Sequence, residues 1–373
     1  MKLLIISDTP MYGPDSNDLE VFEPTLREIE SVSPLFRNVL WVGYWAGPLN
    51  PGNARRPNKN NIQLSLLPLA IGGETLFDKF KMLPRLPALL LKIYNLIKKF
   101  EIVHSRGPSV PAFICIIFSF FFREKKFWHK YAGNWMEPSP PFMYAVQKKL
   151  LIKAKHSICT INGQWPKQPS HIVSLENPCF TEREWEEASK VSMSKTYDVP
   201  LILCFTGLVS ESKGILTLLK GLSGIQNLGQ RVSKLIIVGN GPAMEQARLA
   251  SKELLVPAEF TGYLQRKALN EVYAISHILI LPSKTEGFPK VVAEAAAFGC
   301  VPVVTNVSAI GQYIRNGKNG FLLTDNQAAT IKSTLEGVLL NENLAEISKR
   351  SKELSKLFTY ERFFNSVKKI LSI

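Results

Sequence analysis

Apolar residues along this chain gather in short runs separated by segments in which they recur at helical spacing. Runs of strand length occupy 2–7, 38–44, 61–67, 101–105, 126–131 and 157–161 in the first half. In the second half they occupy 201–205, 234–238, 259–262, 278–281 and 301–305. Segments at helical spacing lie between them, at 20–31, 83–100, 110–122, 147–155, 215–222, 244–254, 267–276 and 291–298. Short apolar strands alternating with helices predict parallel, doubly wound α/β sheets in both halves. No period of solenoid length repeats.

Between 177 and 200 the composition shifts to Glu, Ser and Lys with few apolar anchors, so the domain boundary is expected there. A chain of 373 residues exceeds one ordinary core. The division predicted is 1–178 and 179–358, with a last helix at about 359–373 packing back on the first domain.

One stretch, 281–323, carries the densest pattern. Pro289 stands where a helix should begin, Ala and Val fill 291–298, Gly299 stops it, and 301–305 is an apolar β-branched run, short enough for a strand buried on both faces. A second turn and a second helix are expected after it. A helix start beyond a strand end is an anion site, and Glu286 and Glu294 flank it. The eight-residue spacing of this pair says little, because it recurs at Glu20/Glu28, Glu176/Glu184, Glu245/Glu253 and Glu353/Glu361.

Ligands of doubly wound sheets sit beyond the carboxyl ends of strands. In the second half those ends carry Gly207 with Lys213-Gly214, the Gly239-Asn240-Gly241 turn, Gly262-Tyr263, and 283–290. One crevice would collect a lysine, bare backbone turns, a ring and two carboxylates. Met244 stands where a dinucleotide fingerprint needs Gly or Ala, which argues against NAD. In the first half, His104 and His129 end strands, with a catalytic role no better supported than a core one.

The formal charge is +14. Through residue 178, 22 Lys and Arg against 13 Asp and Glu give +9; the rest, 23 against 18, gives +5. Such an excess favours phosphorylated ligands, anionic lipid or nucleic acid, but no basic-aromatic module for nucleic acid is present, and none is expected as partner. The basic amphipathic segment 83–100 fits a membrane interface or a sheet face equally well. The apolar run 110–122 is too short to span a bilayer. Five scattered cysteines without C-x-x-C spacing suggest a reducing compartment, the five-residue apolar run near the start reads as a strand and not a leader, and the Asn306-Val307-Ser308 sequon is expected to be chance. Six aspartates, no two spaced i, i+2, leave no Asp-x-Asp motif for a divalent cation, so neither metal nor cofactor is expected.

The segment 282–323 resembles the signature of retaining family 4 glycosyltransferases of the GT-B fold: Pro-Ser-x-x-Glu-Gly-Phe, a Glu-Ala helix, Gly-x-Pro-Val-Val and Asn-Gly-x-Leu. The blocks IVGNGP (237–242), FTGYL (260–264) and 205–214 match its remaining parts in order. The resemblance implies two Rossmann-like domains facing across a cleft, the first for the acceptor and the second for a sugar nucleotide. It implies that Glu286 and the backbone of Gly287, Phe288, Pro289 and Lys290 hold sugar and diphosphate, that Lys213 binds diphosphate, that Glu294 takes the ribose hydroxyls and that Tyr263 flanks the base. Gly207, Gly239 and Gly241 complete the donor side; Gly13, His104, Asn134 and Trp135 are the acceptor-side candidates. The family usually places Arg where Leu208 stands, and often His where Ala132 stands.

On this resemblance the expected function is metal-independent, retaining transfer from a nucleotide sugar to a lipid-linked or glycan acceptor in bacterial surface-polysaccharide (capsule or lipopolysaccharide) synthesis, peripheral on the anionic cytoplasmic membrane face. The alternative is a GT-B scaffold that binds a nucleotide or partner protein without turnover, which Leu208 and Ala132 motivate.

Overall fold

The computed structural model describes residues 1–15, 18–50, 52–70 and 83–373. Outside them lie Ser16 and Asn17 of the turn-forming stretch 8–18, for which the sequence predicts a loop, and Pro51 of the polar basic stretch 50–61, for which it predicts another. The chain divides into one unit of Met1–Leu175 with Phe363–Ile373 and a second of Glu176–Arg362.

The boundary falls at 175/176, three residues before the expected one, because the chain that follows is already tied into the second unit. There Cys179 N donates to Phe358 O at 2.8 Å, and Tyr360 N to Phe180 O at 2.9 Å. The segment 177–200, where the domain boundary was expected, contains a helix, Glu182–Met193. A capping box at Thr181 and Glu184 starts it, satisfying two orphan backbone donors that composition alone does not reveal.

In the first unit the strands are β1 (Lys2–Tyr12), β2 (Glu20–Phe22), β3 (Asn38–Gly47), β4 (Ala54–Arg55), β5 (Ile62–Ala70), β6 (Ile102–Gly107), β7 (Lys126–Tyr131), β8 (Ile158–Ile161) and β9 (Ile172–Ser174). Parallel pairing winds outward from β1, through β3 and β5 on one side and β6 to β9 on the other. The switch point lies between β1 and β6. Leu3 and Ile5 point to one face, where α1 (Glu23–Val32) and the terminal helix Tyr360–Leu371 pack through Leu26, Ile29, Phe363, Val367 and Leu371. Leu4 and Ile6 point to the other, covered by α2 (Leu86–Lys99) and α3 (Val110–Ser119). This two-sided burial is why β1 has no polar alternation.

Several expected boundaries moved. The strand β1 continues to Tyr12 through a region expected to be loop, because past an irregularity in register it keeps pairing with β3 and meets β2 antiparallel. The helix expected from residue 20 begins at Glu23, with Pro24 in its first turn. α4 (Phe142–Lys153) starts five residues before its expected position, after Pro141. Of the two readings of 83–100, packing on the sheet is observed: Leu89, Ile93 and Ile97 are buried. Among the described residues no helix is long and apolar enough to cross a membrane.

The second unit holds β10 (Leu201–Thr206), β11 (Val232–Val238), β12 (Ala258–Gly262), β13 (Ile278–Leu281), β14 (Val301–Thr305) and β15 (Phe321–Leu323) in the order β12-β11-β10-β13-β14-β15. All pairings are parallel, so the switch point lies between β10 and β13. Helix α5 is Glu182–Met193; then come α6 (Ile215–Ser223), α7 (Leu228–Arg231), α8 (Met244–Ala250), α9 (Arg266–Ile275), α10 (Lys290–Ala297), α11 (Ile310–Tyr313), α12 (Ala328–Leu339) and α13 (Leu344–Ser355). The second helix expected after residue 305 is the single turn α11, followed by β15.

Candidate functional site

The carboxyl ends of β10 and β13 flank the switch point of the second unit, and each sends out a loop bearing one member of an ion pair. After β10, a 3-10 turn at Glu211–Lys213 ends on Gly214 in the left-handed region (φ 75°). A side chain at Gly214 would place its Cβ 2.1 Å from the carbonyl of Pro282, so only glycine lets the two loops touch. Lys284 N donates to Ser212 O at 2.8 Å across the same seam. The consequence is an ion pair between Lys213 Nζ and Glu286 Oε1, with side chains 27% and 9% exposed. Ser283 Oγ donates to the same Glu286 oxygen at 2.8 Å, so the carboxylate is fixed from two sides. A lysine and a carboxylate 73 positions apart thus meet at the site where doubly wound sheets bind ligands.

Beside this pair, three strand-end turns are laced together. Gly207 N donates to Val238 O at 3.0 Å, and Gly239 N to Gly262 O at 2.8 Å. At Gly239 (φ 129°) a Cβ would lie 1.9 Å from Gly207 O, whereas one at Gly207 would meet nothing within 4 Å. Gly241 passes close to Val209 O. The row is backbone-lined and open above Gly207. Tyr263 follows at 42% exposure and Leu208 at 53%.

The helix α10 begins at Lys290 with Pro289 at its N-cap, and the first N–H groups of a helix have no partner within it. Phe288 is 5% exposed, stacked on Phe358 at 4.5 Å between ring centroids and edge-on to Tyr313 at 4.8 Å. Its ring therefore anchors the helix start in the core, and only its backbone remains for a ligand. Pro289 is likewise buried, while Gly287 is half-buried. Glu294 lies within α10, its side chain 15% exposed, with Arg266 Nη1 at 3.4 Å from its Oε1.

Arg266 was absent from the sequence-derived site. It opens α9 and looks from the sequence like an ordinary polar helix start. No local pattern links it to Glu294, 28 residues on, or to Glu184, 82 residues back.

The acceptor-side candidates of the first unit fare differently. His104 is fully buried, its ring stacked on Trp128 at 3.7 Å and its Nδ1 3.0 Å from Trp128 O. Burial, with the nearby Arg106 cation, holds it well below the usual imidazole range. His104 is a core residue and presents nothing to an acceptor. His129, bonded to Ser105 Oγ at 2.7 Å, is pushed down to about 3 by burial. Trp135 is 5% exposed, edge-on to Tyr131 at 5.2 Å, and also belongs to the core. Asn134 caps its own turn, donating to Glu137 at 3.1 Å and accepting from Met136 N at 3.0 Å. Gly13 is buried and donates to Gly47 O at 3.0 Å. What the strand ends of this unit bring together is a different set: Glu28 of α1 accepts from Arg106 at 2.7 Å and from Lys130 at 2.6 Å. Asp8 lies near Arg106; burial raises its carboxyl pKa, opposed by a backbone hydrogen bond and by that cation.

Among the described residues no group of three His, Cys, Asp or Glu side chains could hold a metal ion. All five cysteines are buried thiols outside any disulfide.

Residues 190–354 match the family model for glycosyl transferases group 1, and every donor-side residue above lies within that span. The GDP-mannose-dependent alpha-mannosyltransferase of Corynebacterium glutamicum is 30% identical over 136 residues, covering 36% of this chain and 30% of that protein. The lipopolysaccharide 1,2-N-acetylglucosaminetransferase of Salmonella typhimurium is 24% identical over 164 residues, covering 41% and 43%. The matches thus span less than half the length of either relative. The crystal structure of Anabaena HepE with UDP and glucose is similar over 100% of this chain and 99% of that one, with a TM-score of 0.72 at 16% identity. The fold is GT-B, with two Rossmann-like α/β domains.

Proposed function

We propose that this chain, whose residues 190–354 match the family model for glycosyl transferases group 1, transfers a hexosyl group from a nucleoside diphosphate sugar to a lipid-linked or glycan acceptor. The observation that carries this reading is the Lys213–Glu286 pair astride the β10/β13 switch point, beside a backbone-lined row and a helix start. In this reading Lys213 and the amides at 287–290 take the negative charge that grows on the departing diphosphate. Glu286 holds the sugar hydroxyls, Glu294 the ribose and Tyr263 the base. The bond from sugar C1 to the diphosphate oxygen breaks while the acceptor oxygen bonds C1 on the same face. The acceptor proton passes to the departing phosphate oxygen, so configuration is retained without a side-chain base. Charge neutralisation by Lys213 and the helix start replaces a divalent metal.

Surface-polysaccharide synthesis is supported by the named activity of the Salmonella relative. A lipid-linked acceptor, met at the inner face of an anionic membrane, is supported by the first unit. There Phe142, Met143 and Tyr144 are exposed at 79%, 41% and 39%, with exposed Lys149 and Lys153 further along the same helix.

The test is turnover of UDP- and GDP-sugars by the purified chain, because UDP and GDP-mannose appear in the names of its relatives. Glu286→Gln is expected to lower turnover by about 10²–10³, the usual cost of removing one preorganised electrostatic group. Equal turnover in parent and variant would sink the assignment of Glu286. A second reading, a scaffold that binds nucleotide without transfer, rests on exposed Leu208 where the family usually has Arg. Calorimetric donor binding with no turnover of any donor would select it.

A further inference from the structure

Arg266 is the first residue of α9, three positions beyond Tyr263. Its guanidinium faces three oxygens in different parts of the second unit, two through hydrogen bonds and the third as an ion pair. Nη1 lies 3.4 Å from Glu294 Oε1, Nη2 donates to the backbone carbonyl of Cys179, and Nε lies 3.5 Å from Glu184 Oε1. None of these partners can drift easily. Glu184 is committed to the capping box of α5, where its other oxygen accepts from Thr181 N at 2.7 Å. Cys179 is bonded through its own N–H to Phe358 O at 2.8 Å. Glu294 is held on α10, whose first carbonyl, that of Lys290, receives the Cys179 thiol at 3.6 Å.

We infer that Arg266 is the positioning residue for the nucleotide ribose: it fixes the Glu294 carboxylate in a single orientation for the two ribose hydroxyls. A planar guanidinium with a forked set of donors suits two acceptors at fixed angles, Glu294 and the Cys179 carbonyl, with its charge turned also to Glu184, where an ammonium does not. A glutamate with three side-chain torsions would otherwise sample many orientations, and ordering it at each binding event would subtract from nucleotide affinity. Because Arg266 also binds the Cys179 carbonyl and Glu184, its orientation is set by the covalent and capping geometry of segment 179–184. The ribose contact is thereby tied to the place where the chain enters this unit. This inference rests on the donor reading of Glu294 given above, and its test separates the two.

The experiment is calorimetry on the full chain with UDP and 2′,3′-dideoxy-UDP, or GDP and 2′,3′-dideoxy-GDP if GDP binds more tightly. Losing hydrogen bonds to a charged group should weaken the dideoxy ligand at least about tenfold for the parent. Arg266→Met should bring that ratio below about threefold while pyrophosphate affinity stays within about twofold of the parent. Arg266→Lys should recover only part of it. A merely structural arginine would lower the melting temperature, or weaken both nucleotides alike, and leave the ratio intact. That result overturns the inference. Glu294→Ala is the reference variant. If it abolishes the ratio and Arg266→Met does not, the inference falls and the donor reading stands. If neither variant changes the ratio, the donor reading of Glu294 itself falls. Should Arg266→Met fail to fold, Glu184→Gln, which removes one anchor at a partly exposed site, is expected to lower the ratio by about half.

Discussion

At the switch point of the second unit, Lys213 and Glu286 lie on loops and remain partly open to solvent, with side chains 27% and 9% exposed. At that of the first unit, Arg106 and Lys130 sit within strands and close upon Glu28 of α1, with side-chain exposures of 14%, 5% and 2%. Both sheets are wound outward from one central strand, so topology offers a ligand crevice at each. The chemistry offered there differs. In the second unit glycine turns bare the backbone beside a fixed ion pair that a diphosphate can engage. In the first, charges carried by regular elements already satisfy one another and fill the edge of the sheet. A shared topology therefore makes a site possible, and where the charges are mounted decides whether it is built for a ligand.

The largest expected effect tests the first half of that contrast. Glu28→Ala leaves buried Lys130 and half-buried Arg106 without their shared carboxylate, and breaking a buried pair typically costs about 3–5 kcal/mol. Urea unfolding of the variant should show a first transition lowered by that amount. UDP or GDP affinity, which belongs to the other unit, should move by less than about twofold. A variant of parental stability that has lost acceptor turnover would turn the comparison around and make the Glu28 cluster a substrate site.

The second half is tested by Gly239→Ala. The added methyl meets Gly207 O at 1.9 Å, and φ is 129°, a region side chains avoid. Strain and overpacking together cost about 2–3 kcal/mol. Relief by parting the β10 and β11 turns should appear as nucleotide affinity reduced about 30- to 150-fold in calorimetry. Binding unchanged from the parent would show that the laced turns are a structural seam and no part of the donor site.

These two regions also differ in how far they could be read from residues alone. In the second unit the strands at 278–281 and 301–305 stand as expected, because a fully buried strand must be a short β-branched run between turn formers. The residues that meet at β10/β13 were legible for the same reason, since strand ends and helix starts are local features. The role of Phe288 was not. Its neighbours in the motif suggest a ligand contact, yet its ring is spent on Phe358, 70 positions away. His104 misled in a similar way: a histidine ending a strand looks available, but Trp128 of the adjacent strand covers it. The clusters Glu28–Arg106–Lys130 and Glu184–Arg266–Glu294 depend on long-range pairings with no spacing signature, and only the folded chain reveals them. Helix α5 was hidden by composition, though Thr181 and Glu184 at capping-box spacing were its visible signal.

The smallest expected effect sharpens the contrast by adding to the open site. Leu208 follows Gly207 at the end of β10 and is 53% exposed, and family 4 enzymes usually place arginine at this position. Leu208→Arg supplies a cation without displacing any buried side chain. An exposed charge in water contributes about 0.2–1 kcal/mol, which is a gain of at most about fivefold in diphosphate affinity. That gain should shrink as salt is raised from 50 to 500 mM, roughly a threefold fall in screening length. A salt-sensitive gain places the diphosphate beside the end of β10, within reach of Lys213. If affinity is unchanged at both salt concentrations, the phosphates lie at the α10 start alone, and Lys213 serves to orient Glu286 without touching the donor.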